Sequence, residues 1–184
     1  MLRCAVVGAT GYTGMELIKI LLRHSSVQIA ALTTRQKNPI PVHQLIPTLS
    51  KEVSQEVRPF TSREIVRKAD VIFICLPHTE SAAAAGVFYR AGKIVIDLSA
   101  DLRLQSAAEY ETWYGVKHPE KELLKKSVYG LPEWNRKKIA HADLIANPGC
   151  YPTASILAVL PLLKAKLIDL QSVIIDAKSG VSGA

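Results

Sequence analysis

The sequence has little to build a disulfide scaffold, a membrane span or a nucleic-acid surface from. Its three cysteines, Cys4, Cys75 and Cys150, are widely and unevenly spaced, which makes neither a disulfide framework nor a C-x-x-C zinc pair. A reducing, cytoplasmic setting fits that usage best. No uncharged apolar run approaches the ~20 residues that cross a bilayer. The first apolar stretch is short and runs into glycines, where a signal peptide would carry a cleavage site. Aromatic residues make up 6% of the chain, and the basic residues behind its formal charge of +7 are scattered, with no stripe that would track a nucleic-acid backbone. Small anionic ligands suit that charge better, and a solvated surface without a partner stays open. With 184 residues, 48% hydrophobic and 21% charged, the chain can bury one sizeable core and begin a second unit.

What is present begins with a strand over residues 2–7, the turn Gly8-Ala9-Thr10-Gly11-Tyr12-Thr13-Gly14, and Met15, Leu17, Ile18, Leu21 and Leu22 at helical spacing. Strand, glycine turn and helix in that order open a dinucleotide-binding unit, whose glycines let backbone N–H groups approach a pyrophosphate at the helix N-terminus. The spacing here is G-x-x-G-x-x-G, and a glycine-rich turn without a ligand is the alternative. A second strand over residues 28–32 leads to Thr33-Thr34-Arg35. No Asp or Glu stands there to hold the ribose hydroxyls of NAD. A guanidinium flanked by hydroxyls suits the 2′-phosphate of NADP instead, although a solvated arginine reads the same way in sequence.

Residues 36–59 lose the pattern and read as a long surface excursion with one short strand near Val57. Thr61 and Glu64 form a capping box for a brief helix. Residues 71–76 are a strand covered on both faces, ending in Pro77-His78-Thr79-Glu80-Ser81, a loop that should face the cofactor. A helix starts at alanines 82–85 and closes near Gly92. Residues 94–98 form the next strand, and Asp101 and Arg103 follow it. Arg103 suits an anionic substrate group, or the two charges only tie the loop together. Ser106 and Glu109 cap a helix that reaches Tyr114, residues 117–126 look like a solvated helix, and residues 129–133 are a turn leading into another short one. This strand–helix alternation predicts an α/β fold, a Rossmann-like, doubly wound and mainly parallel sheet.

The stretch Asn147-Pro148-Gly149-Cys150-Tyr151-Pro152-Thr153 lies between the apolar Leu144-Ile145-Ala146 and the apolar residues 154–163. Pro148 and Gly149 break the strand, and Pro152 suits a first helical turn. Cys150 is thereby placed at a helix N-terminus, where unpaired N–H groups and the helix dipole favour the nucleophilic thiolate. Cys4 and Cys75, inside apolar runs, read as small buried hydrophobes. Local sequence leaves Cys150 open to either role.

Five stretches together resemble N-acetyl-γ-glutamyl-phosphate reductase of arginine biosynthesis, a family related to aspartate-semialdehyde dehydrogenase. They are the glycine turn, Cys75-Leu76-Pro77-His78, Asp97-Leu98-Ser99-Ala100-Asp101-Leu102-Arg103, Tyr129-Gly130-Leu131-Pro132-Glu133 and the cysteine motif. The resemblance implies a cytoplasmic homo-oligomer with Cys150 as nucleophile, NADP(H) as cofactor and a small acyl-phosphate substrate. It implies cofactor contacts from Gly8, Thr10, Gly11, Tyr12, Thr13, Gly14, Thr34, Arg35 and Pro77, and substrate contacts from Arg103 and Asn147. No metal, nucleic acid or membrane enters. Residues 1–148 would be the dinucleotide-binding domain and residues 149–184 the start of an α+β catalytic and dimerisation domain, with residues 173–177 its first strand.

The family's catalytic histidine lies in that second domain, and none of the five histidines here takes its place. The sequence thus resembles a truncated reductase or one piece of a divided chain, expected to bind nucleotide at most weakly and not to turn over alone. A related acyl-phosphate reductase of lysine biosynthesis would share every motif quoted. A nucleotide-binding module without chemistry is the alternative of a different class, and a cysteine protease, for which the glycine turn has no use, ranks last.

Overall fold

In the computed structural model, which describes residues 1–49 and 53–180, the apolar runs become strands β1 (Leu2–Val7), β2 (Val27–Thr33), β5 (Val71–Ile74), β6 (Ile94–Asp97) and β8 (Leu144–Ala146). Shorter strands β3 (Ile40–Pro41), β4 (Glu56–Arg58) and β7 (Val128–Tyr129) complete one sheet in the order β3-β4-β2-β1-β5-β6-β8-β7. All pairings are parallel except β3 with β4. Helices α1 (Tyr12–Leu22), α3 (Ser62–Lys68), α4 (Ser81–Arg90), α5 (Ala107–Tyr114) and α7 (Pro132–Ile139) lie between the strands, with one-turn helices α2 (Val42–Leu45) and α6 (Lys121–Leu124).

Alternation along the central strands supplies both faces of the sheet. On β1, Cys4 and Val6 pack with Ile18 and Leu21 of α1, while Ala5 joins Ile65 of α3 and Ala85 and Phe88 of α4 on the other side. The large side chains among these, Val6, Ile18, Leu21, Ile65 and Phe88, each contribute roughly 1.5–3 kcal/mol through the area they remove from water, so the doubly wound arrangement follows from two-faced burial of β1 and β5. At the sheet margin Asp70 accepts hydrogen bonds from the Arg3 side chain at 3.0 and 2.6 Å. Those bonds hold its carboxyl at about 2, so this tie is in place above the ordinary carboxylate range and is lost as pH falls through that value.

The Thr61–Glu64 capping box forms in full at the start of α3. Ser106 accepts from the Glu109 N–H, and α5 stops at Gly115 in the left-handed region. Three expectations need correction. The excursion over 36–59 contains β3 and α2 as well as β4, because Val42, Ile46 and Val57 reach the core beside β2 and Ile40 pairs with Val57; its residues 50–52 lie outside the described residues. The charged segment 117–126 is helical only over Lys121–Leu124 and is not wholly solvated. Its two leucines are buried, and Glu120 anchors it through two 2.8 Å bonds from Arg90.

Residues 173–177 form no strand. They are extended chain without sheet pairing, with Ile174 93% exposed, because a strand needs a partner for its N–H and C=O groups and none lies alongside among the described residues. The last long helix, α8 (Cys150–Lys164), is apolar yet has no buried residue. Among the described residues no helix is long and apolar enough to cross a membrane.

Candidate functional site

Because β1, β2, β5, β6 and β8 run parallel, the loops after them share one edge of the sheet, where ligands of open α/β sheets bind. The glycine turn follows β1. Gly8 has φ +85°, and a Cβ there would lie 2.5 Å from the Cys75 carbonyl oxygen; a Cβ on Gly14 would lie 2.6 Å from the Gly8 oxygen. These two glycines seat the turn against β5 and α1 against the turn. Gly11 differs, since a Cβ there meets nothing nearer than 3.8 Å. No side chain caps α1, and its first N–H groups, on Tyr12, Thr13 and Gly14, have no acceptor within the helix. A closely approached turn followed by an uncapped N-terminus fits a pyrophosphate. Thr10 sits half-buried within the turn, while Tyr12 and Thr13 are exposed.

Beyond β2, the Thr34 N–H bonds the Arg58 carbonyl at 3.3 Å, and its hydroxyl accepts from the Gln36 N–H at 3.2 Å. Arg35 projects from this anchored position, its side chain 76% exposed and ion-paired with Glu80 from the loop after β5. In that loop Pro77 is exposed, and its carbonyl closes a turn onto the Glu80 N–H.

The loop after β6 carries a buried polar network that the sequence reading missed. Asp101, fully buried, accepts from the Thr79 N–H at 2.7 Å, the Ala82 N–H at 2.9 Å and the Tyr110 hydroxyl at 2.9 Å. It thereby caps α4 from a different loop. His118 Nδ1 accepts from the Glu120 N–H, so its Nε2 carries the proton and donates to the Asp101 carbonyl at 2.9 Å. Asp97 accepts from the Ser81 hydroxyl and from both the N–H and the hydroxyl of Ser99. Burial pushes its carboxyl up, against those hydrogen bonds. The acids were visible in the quoted motif, but apart from Ser99 nothing in one dimension marks their partners, which lie 9 to 22 positions away.

Arg103 does not pair with Asp101. Its Nε donates to the Asn147 carbonyl at 2.8 Å and its Nη2 to the Leu98 carbonyl at 3.0 Å, which joins the loops after β6 and β8. Its Nη1 faces the turn before Cys150: a Cβ on Gly149 would sit 2.9 Å from it. Asn147 donates its amide to the Pro148 carbonyl at 3.2 Å. Gly149 is the N-cap of α8, and Cys150 is its first residue, exposed to solvent. Arg103, Asn147 and Cys150 are thus assembled at one end of the edge. Arg35, Glu80 and the glycine turn are assembled at the loops after β1, β2 and β5, with Asp101 tying the β5 loop to the β6 loop.

The other cysteines behave differently. Burial pushes the Cys75 thiol up to about 12, and burial followed by the Asp70 charge raises that of Cys4. Native-state alkylation is therefore expected to modify one cysteine of the three, with Cys150→Ala abolishing the modification. Mass spectrometry checks this, and rapid labelling of Cys75 or Cys4 in the folded protein contradicts it.

The model of the semialdehyde dehydrogenase NAD-binding domain matches residues 3–142, and that of the semialdehyde dehydrogenase dimerisation domain matches residues 150–184. Two curated relatives named N-acetyl-gamma-glutamyl-phosphate reductase, from Heliobacterium modesticaldum and Geotalea daltonii, are 50% and 48% identical over 184 residues. The alignments cover 100% of this chain and 52% and 53% of theirs, so the chain spans about half the length of the curated relatives it matches. A solved aspartate semialdehyde dehydrogenase II from Vibrio cholerae shares the fold with a TM-score of 0.62 at 20% identity, covering 90% of this chain and 47% of that one.

Proposed function

We propose a function from one premise, that the chain belongs to the semialdehyde dehydrogenase family. The reaction is the NADPH-dependent conversion of N-acetyl-γ-glutamyl phosphate to N-acetylglutamate 5-semialdehyde, a step of arginine biosynthesis, in the cytoplasm. The curated relatives' names support the substrate. The observation that carries the chemistry is the exposed Cys150 thiol at the first position of α8, beside Arg103 and on the edge that bears the glycine turn.

In this reading the Cys150 sulfur attacks the acyl carbonyl, the C–O bond to phosphate breaks, and a thioester remains on the protein. Arg103 Nη1 meets the phosphate, since Nε and Nη2 are already spent on backbone carbonyls. Asn147 helps position the substrate. The oxyanion needs N–H donors. Pro152 has none and Thr153 gives its own to the Gly149 carbonyl at 3.0 Å, which leaves the N–H groups of Cys150 and Tyr151 at the start of the helix. When bound, the nicotinamide supplies the hydride that reduces the thioester carbonyl. Hydride addition leaves a thiohemiacetal oxyanion on Cys150, which re-forms its carbonyl as the C–S bond breaks, releasing the aldehyde and the Cys150 thiolate.

Gly8, Thr10, Gly11, Tyr12, Thr13 and Gly14 cradle the pyrophosphate, Thr34 and Arg35 hold the 2′-phosphate, and Pro77 borders the cofactor. Residues 1–148 act as the dinucleotide domain, and residues 149–184 begin a catalytic and dimerisation unit in a homo-oligomer. The apolar α8, uncovered here, is consistent with a helix that is buried once that unit is whole.

The test runs the reaction in reverse with the full-length protein. NADP reduction is expected to require both N-acetylglutamate 5-semialdehyde and inorganic phosphate. Reduction that proceeds equally well without phosphate would mean hydrolysis to the acid, and the acyl-phosphate assignment would fall.

A further inference from the structure

The Arg35–Glu80 ion pair crosses between the loops after β2 and β5, the two loops that flank the glycine turn. A glutamate at this place in sequence would ordinarily serve its own helix, because Glu80 is the N-cap residue of α4 and carboxylates favour helix N-termini. Here it makes no side-chain cap. That work is done by Asp101, whose carboxylate takes the N–H groups of Thr79 and Ala82. Glu80 is released for another use, and the backbone is bent to direct it. The preceding Thr79 has φ +72°, a left-handed conformation that a β-branched residue adopts only when its surroundings impose it. The imposing contact is the 2.7 Å bond from the Thr79 N–H to buried Asp101. A strained residue, a helix capped from elsewhere and an ion pair across the cleft together make Glu80 a placed group.

We propose that Glu80 is a specificity-determining residue of the cofactor site, an internal competitor with the 2′-phosphate for the Arg35 guanidinium. The proposal rests on the reading of Arg35 as the 2′-phosphate holder. A cofactor carrying that phosphate must displace the Glu80 carboxylate from Arg35 and then sit beside its negative charge. A cofactor with a 2′-hydroxyl meets neither demand. Glu80 therefore lowers the preference for NADP(H) over NAD(H) below what Arg35 alone would set, and keeps the arginine fork ordered when no nucleotide is bound. Both side chains are well exposed, 76% for Arg35 and 40% for Glu80, so the competition is of the modest size of a solvated ion pair.

NADPH and NADH dissociation constants, measured by fluorescence titration on the full-length protein, test this in wild type, Glu80→Gln, Arg35→Ala and the double variant. Glu80→Gln is expected to bind NADPH about two- to five-fold more tightly with NADH affinity unchanged, and the gain should shrink in the Arg35→Ala background, where only the direct repulsion between Glu80 and the 2′-phosphate is left to relieve. Raised salt should shrink it. If Arg35→Ala loses NADPH preference but Glu80→Gln leaves NADPH binding unchanged or weaker, the competitor role is overturned while the Arg35 reading stands. If Arg35→Ala binds NADPH as wild type does, or wild type binds no NADPH, the 2′-phosphate reading fails and this inference falls with it.

Discussion

Replacing Cys150 with alanine in the full-length protein is expected to lower turnover about 10⁴-fold or more, the scale seen when a covalent nucleophile is removed, with stability and NADPH affinity near wild type. The separation of effects follows from where the residue sits. Cys150 is exposed at the first position of its helix and lies outside both buried core clusters. Alanine at that position removes the sulfur and leaves no cavity. Neither remaining cysteine can substitute, since Cys4 is buried in the sheet and the Cys75 thiol is pushed up to about 12 by burial. Incubation with acyl phosphate in the absence of NADPH should add the acyl mass to wild type and nothing to Cys150→Ala. Activity of the variant within tenfold of wild type would remove the thioester from the mechanism.

Asp101→Ala is expected to cost about 3–5 kcal/mol of folding stability, because it leaves three neutral donors without their acceptor. Its carboxylate has no solvent exposure and serves two backbone N–H groups and the Tyr110 hydroxyl. Each donor left without a partner costs about 1–3 kcal/mol, less when the set can relax together. Burial pushes the Tyr110 hydroxyl up, so in the variant it stays a protonated donor without a partner. Asp101→Asn should cost less, because one oxygen survives while the new amide points N–H at a donor. Urea unfolding of the two variants measures the order. A loss below about 1 kcal/mol for Asp101→Ala, the size of an exposed ion pair, would show that water reaches the site. The same variant should also blunt the effect of Glu80→Gln on NADPH binding, since Thr79 would no longer be held in its left-handed conformation.

Much of the site was legible residue by residue. The glycine turn needed only a strand before it and a helix after it, and both formed at the expected places. Cys150 was placed at a helix start by Pro148, Gly149 and Pro152, and it occupies the first position of α8. Short strands were harder. β3 and β7 have two residues each, too few to show any period, and they exist because a neighbouring strand offers an unpaired edge. Residues 173–177 show the converse, a β-branched run that forms no strand where, among the described residues, no edge lies alongside.

What sequence alone determined about this protein was therefore whatever depends on local geometry: the order of strands and helices, the turn that only glycine can make at Gly8, and the capping of α3 by Thr61 and Glu64. Only the tertiary structure decided which charges meet. Asp101 and Arg103 look like a pair at two positions apart, yet Asp101 turns to α4 and Tyr110 while Arg103 turns to the carbonyls of Leu98 and Asn147. Arg35, an open phosphate site in sequence, shares its guanidinium with a glutamate 45 residues away. The physical reason is common to both cases. A local motif is held by bonds along the chain, whereas a buried or cleft-side charge takes whichever partner the packed strands bring within reach, and parallel strands joined by helices bring together loops distant in sequence.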